Sequence, residues 1–121
     1  MNLRQSPKTE LVILMNDIAE ALESGYIDPR LVRRYGRNSA TLASYLIEAI
    51  VAGEEDKEGW VRWRIEDWRD VGLYRHRQLK ARAHLKELGI LEEKTSVGRG
   101  VQLLYKLNVE RLLRLAGMLN E

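Results

Sequence analysis

No cysteine occurs among the 121 residues, so disulfides, thiolate metal sites and a thiol nucleophile are excluded together. Phenylalanine is absent as well, leaving three tryptophans and five tyrosines as the aromatic material. Histidine occurs only at His76 and His84, and a spacing of eight cannot bring two ligands to one metal from adjacent helical turns, so no metal site is expected. Long apolar runs are missing too. The longest, Leu11 to Met15, falls far short of the roughly 20 residues of a membrane span, and no apolar region follows the charges between Met1 and Lys8. A cytoplasmic protein without a membrane partner is expected. Charge of one sign is scarce: 20 Lys and Arg stand against 18 Asp and Glu, a net +2 that does not by itself call for a polyanion. Finally, no nucleophile, phosphate loop or histidine lies beside Glu66, Asp67 and Asp70, so neither an enzyme nor a cofactor is expected.

What is present is 45% hydrophobic residues, enough in a chain of this length for one ordinary core. The expected organisation is an N-terminal helical extension over residues 1–38 and a domain over 39–121. Ser6-Pro7 suits a helix start, and Leu11, Leu14, Met15, Ile18 and Leu22 keep one helical stripe up to Gly25. Val12 and Ile13 lie off that stripe, which predicts cover on a second side by the domain or by another subunit. Asp28-Pro29 starts a short helix closed by Gly36, and no acid interrupts Arg30, Arg33, Arg34 and Arg37. That run is either a solvated face or an arm for phosphates.

Ser39 or Thr41 is the expected cap of a third helix, with Leu42, Tyr45, Leu46, Ala49 and Ile50 inward and an end near Gly53. The segment Glu54 to Glu58 sets four carboxylates against one lysine, net −3, and reads as an exposed loop facing away from any phosphate. Trp60 to Ile65 alternates, which predicts a strand with Val61, Trp63 and Ile65 on the buried side. Glu66 to Val71 fits two helical turns, with Trp68 inward, and Gly72-Leu73 provides a tight turn. Tyr74 to Leu88 is a longer helix with Tyr74, Gln78, Ala81, Leu85 and Leu88 as its core stripe. Gly89-Ile90-Leu91 leads into a strand through Lys94 or Thr95, Ser96 to Gly100 turns, and Val101 to Leu107 returns. Asn108 caps a last helix running to Leu119.

The order helix, short strand, helix, Gly turn, basic helix and hairpin resembles the winged helix-turn-helix superfamily over roughly residues 40 to 107. Gly72-Leu73-Tyr74-Arg75 resembles the Gly-Leu-Ser-Arg start of many recognition helices, with Tyr74 in place of the small capping hydroxyl. Leu85-Lys86-Glu87-Leu88-Gly89-Ile90-Leu91-Glu92 resembles the end of such a helix and the entry to the wing. Small archaeal, viral, phage and plasmid regulators and replication-initiator winged helices look similar. The implied fold is mostly α with a small β-hairpin wing (α+β), carrying an N-terminal helical extension and a C-terminal helix.

Between Arg75 and Lys86 stand five Lys or Arg residues, two histidines and no acid. Solvated faces usually alternate signs to form i,i+4 pairs, so this run asks for an anionic partner. In a major groove, Arg75, His76 and Lys80 are placed for base edges and Arg82 and Lys86 for phosphates, with Arg77 a further DNA-binding candidate of the same helix. Leu79 and Ala83 would meet thymine methyls, or pack on the N-terminal helix or on a partner. Arg99, between two glycines at the wing tip, would enter a minor groove or hold a phosphate, unless it is an ordinary turn charge. Arg33, Arg34, Arg37, Arg62 and Arg64 are further phosphate candidates, the last two with Glu92 or Glu93 as competing partners.

The expectation is sequence-specific binding of double-stranded DNA by a homodimeric transcriptional regulator. A replication-initiation or plasmid-partition adaptor with a protein partner is the first alternative. A winged helix used purely as a protein-protein module is the second.

Overall fold

The computed structural model describes residues 7–98 and 100–119, which form six helices and three strands. α1 (Pro7–Glu23) has proline at its start, where the missing N–H costs no intrahelical bond. α2 (Pro29–Tyr35) repeats that device and adds a cap, the Asp28 carboxylate accepting from the Arg30 backbone amide at 2.9 Å. α3 (Arg37–Val51) follows after one residue, Gly36, whose φ of +86° makes so abrupt a junction possible.

The start of α3 corrects the sequence-based assignment of its cap to Ser39 or Thr41. With the chain turned at Gly36, Ser39 is already buried inside the helix, and Thr41 donates its hydroxyl to the Arg37 carbonyl at 2.7 Å. Arg37 and Asn38 therefore form the first turn of α3.

After an exposed loop come β1 (Val61–Arg62) and α4 (Ile65–Asp70). The strand is shorter than the alternation of Trp60 to Ile65 implied. Trp63 still donates its amide to the Leu103 carbonyl at 3.2 Å, but the Arg64 amide is taken by Asp67 Oδ2 at 2.9 Å, which starts a helix and makes Ile65 its first residue. Gly72, at φ +87°, then turns the chain into α5 (Arg75–Glu87). Tyr74 occupies the cap position of α5 in extended conformation and is 58% exposed, so it does not belong to the core stripe.

β2 (Leu91–Gly98) and β3 (Gly100–Leu107) form a hairpin whose strands run on through the segment read as a turn from Ser96, pairing Ser96 with Gln102 and Gly98 with Gly100. Arg99 lies outside the described residues. β1 adds antiparallel to β3, with Val61 opposite Tyr105, and gives the order β1-β3-β2. α6 (Val109–Leu115) is capped by the Asn108 side chain, which accepts from the Arg111 amide at 3.0 Å. It stops short of Leu119 because Gly117 takes φ +70°.

The fold is thus mostly helical with a small three-stranded antiparallel sheet. α3 is its spine: Leu42, Leu46 and Ile47 are fully buried. Leu14 and Ile18 of α1, Leu31 and Tyr35 of α2, Ala81 and Leu85 of α5, and Leu112 and Leu113 of α6 join the same cluster. The N-terminal helices therefore share the core of the remainder. Val12 and Ile13 stay on the outer side of α1, 51% and 41% exposed. Trp63 stacks on Trp68 at 4.5 Å, and Trp68 meets Tyr105 edge-on at 5.7 Å, joining α4 to the sheet. No described helix is long and apolar enough to cross a membrane.

Candidate nucleic-acid interface

α5 divides its residues by helical period. Gln78, Ala81 and Leu85 recur at three and four and are buried, which turns the intervening residues outward. Arg75, His76, Arg77, Lys80, Ala83 and Lys86 are exposed, and Leu79 is 47% exposed, so Leu79 is not used for packing on α1. The result is one cationic face with an apolar centre.

The far flank of α5 is fixed to the hairpin. Arg82 makes a two-pronged ion pair with Glu93, at 2.6 and 2.8 Å, and both side chains are only 14% exposed. Its guanidinium also lies 5.6 Å from the centre of the Tyr105 ring, and Lys86 Nζ stands 3.4 Å from Glu93. Arg82 therefore locks the orientation of α5 on β2, and the donors expected to hold a phosphate are taken by Glu93. The pairing is invisible in sequence because Glu93 reaches α5 only through the turn at Gly89 and Ile90.

The Arg82 guanidinium holds the Glu93 carboxyl below its ordinary value of 4.5, against the opposing effect of burial. A lowered folded-state pKa contributes stability above the unfolded value, and that contribution is lost as pH falls through the folded one. We expect thermal melts taken from about pH 6 down to about pH 3 to show a loss below about 4.5 that shrinks in Glu93→Gln, a variant already less stable at neutral pH. An unchanged acid slope in that variant would remove Glu93 from the pH dependence.

The other arginine candidates separate. Arg64 pairs with Asp67 at 3.2 Å instead of with Glu92 or Glu93, and Arg62 is exposed on the outer sheet face. Arg34 donates to the Leu115 carbonyl at 3.0 Å and so ties α2 to the end of α6, whereas Arg33 is exposed. Arg37 is the one the fold brings to α5. The first turn of α3, with Arg37 and Asn38, lines one depression with Lys80 and His84 and another with Arg77. Asn38 carries no signal of its own in the sequence and His84 is weighed there only as a metal ligand; the single-residue link at Gly36 is the signal that the α2–α3 junction sits close against α5.

The acidic loop keeps a structural role at Asp56, whose carboxylate accepts from the Glu58 and Trp60 amides, each at 2.9 Å. Among the described residues no group of His, Asp or Glu is placed to hold a metal. No family model, curated protein or solved structure matches this chain.

Proposed function

We propose that the chain is a winged helix-turn-helix protein that binds double-stranded DNA sequence-specifically, acting as a homodimeric transcriptional regulator. The order α3, β1, α4, α5, β2, β3 with sheet order β1-β3-β2 supports the winged-helix assignment. In it α4, the turn at Gly72 and α5 form the helix-turn-helix, and β2–β3 form the wing.

The observation that carries the DNA reading is the unopposed charge of α5. Arg30, Arg64, Arg82 and Arg114 each pair with a carboxylate, whereas Arg75, Arg77 and Lys80 form no ion pair with a described residue. Arg75, His76 and Lys80 read base edges, Leu79 and Ala83 meet thymine methyls, and Arg77, Arg37 and Lys86 hold phosphates. The wing lies on the adjacent groove. Val12 and Ile13 supply apolar surface for a second copy.

Selection from a pool of random duplexes at physiological salt tests this. The expected product is an inverted repeat with half-sites about one helical turn apart. Affinity should fall with salt at a log-log slope near −0.9 per neutralised phosphate. Retention without enrichment would overturn sequence specificity. No retention at any salt would overturn DNA binding and leave the basic helix to an acidic protein.

A further inference from the structure

A cleft of about 320 Å³ lies where the end of α1, the first half of α3 and the α4–α5 turn meet. Leu22, Ile27, Tyr45 and Val71 give it an apolar lining, and Arg37 and Arg77 stand on it from α3 and α5. No carboxylate lines it, and neither arginine has a side-chain partner among the described residues. Two other depressions of the surface carry three carboxylates each, so their electrostatics are opposite. The volume falls at the lower end of the range that holds small ligands, about 300–1,000 Å³.

We propose that this cleft binds a small organic anion, a carboxylate on an apolar body of one or two rings or a short chain. The charge is complementary on one side only. Two guanidiniums without a protein counter-ion present donors that match a carboxylate, while the aliphatic and tyrosyl lining accepts the body and shields it from water. Separate elements supply the two arginines, so the bound anion bridges α3 and α5. On the DNA reading above, that bridge has a consequence: Arg37 and Arg77 are occupied by the ligand and withdrawn from phosphates, so ligand and duplex oppose one another by the same factor in each direction.

Calorimetric titration of the full chain with benzoate, 2-naphthoate and octanoate tests the site without DNA. The expected result is saturable one-to-one binding of at least one of them. Affinity should drop about tenfold or more for its neutral amide and in Arg37→Gln and Arg77→Gln, and stay unchanged in Arg33→Gln on neighbouring α2. Both arginines are exposed, and matching thermal melts verify that the variants remain folded. Three probes that fail to saturate, equal binding of acid and amide, or wild-type binding by the double variant would each overturn the proposal. Adding the saturating acid to a retained duplex then tests the coupling. Binding of the anion by a protein that retains no duplex leaves the cleft standing and removes the DNA reading. Duplex affinity indifferent to the acid removes the competition alone.

Discussion

Trp68→Ala is expected to lower folding stability by about 3–5 kcal/mol, a large part of the roughly 5–15 kcal/mol available to a domain. Trp68 is fully buried, stacked on Trp63 on one side and set edge-on against Tyr105 on the other. Its indole N–H donates to the Tyr105 hydroxyl at 3.2 Å, within a wall of apolar groups. Truncation therefore removes aromatic area, leaves a cavity between α4 and the sheet, and deprives the buried Tyr105 oxygen of its donor. Trp68→Phe keeps most of the packing and loses the hydrogen bond, so it should fall between the two. Urea melts measure both, and a wild-type midpoint in Trp68→Ala would refute this account of how α4 is held. The partly exposed Trp63 should lose less on truncation than Trp68 does.

The consequence reaches the candidate interface. α4 positions the turn at Gly72, and that turn sets where α5 begins. From the other side, Tyr105 carries the Arg82 guanidinium against its ring, and Arg82 grips Glu93. α5 is thus clamped between the aromatic group and the hairpin, and its outward residues point where a fixed helix puts them.

Local signals made most of this legible. Pro7, Pro29, Asp28 and Asn108 mark helix starts for reasons that concern only their own backbone and the next turn, and all four act as the sequence implies. The stripe Leu42, Leu46, Ala49 and the pair Ala81 and Leu85 follow from helical period alone. The misses share another cause. Tyr74 fits the α5 wheel arithmetically, but a residue one step before the helix is not on the wheel, so its side chain is free to point outward. Ser39 carries the chemistry of a cap, yet the junction at Gly36 had already begun the helix. Trp60 to Ile65 alternates as a strand should, and Asp67 captures the Arg64 amide and ends it.

Site residues were legible as a charge pattern and illegible as individuals. The run Arg75 to Lys86 shows its one-sidedness without any structure. Which of its cations are free depends on residues far along the chain, and only packing of the hairpin on α5 assigns Arg82 to Glu93 and leaves Lys80 without an ion pair among the described residues. Arg37 shows the reverse. In sequence it is one of four arginines in an acid-free run, and it is set apart from the other three because α3 starts at that residue and lies beside Lys80 and Arg77 of α5.

On the proposed DNA-binding reading, those assignments make the variants unequal. The triple variant Arg75→Ala, Arg77→Ala, Lys80→Ala should lose on the order of a thousandfold in duplex affinity, at about tenfold or more per contact. Its log-log salt slope should flatten by up to about 2.7, three times 0.9, if all three neutralise phosphates, and by less to the extent that Arg75 and Lys80 read bases instead. The singles divide further: Arg77→Ala should weaken all duplexes alike, while Arg75→Ala should change preference at one base position by about 1–3 kcal/mol. Arg82→Ala is the internal control. Because it strips a partner from a carboxylate that is only 14% exposed, it should cost about 1.5–3 kcal/mol of stability, and any loss of DNA affinity should follow the loosened helix. Equal, sequence-blind losses from Arg75→Ala and Arg77→Ala would remove the base-reading role. A strong affinity loss in Arg82→Ala at wild-type stability would mean that its guanidinium leaves Glu93 for the phosphate, and that the clamp on α5 is opened by the DNA itself.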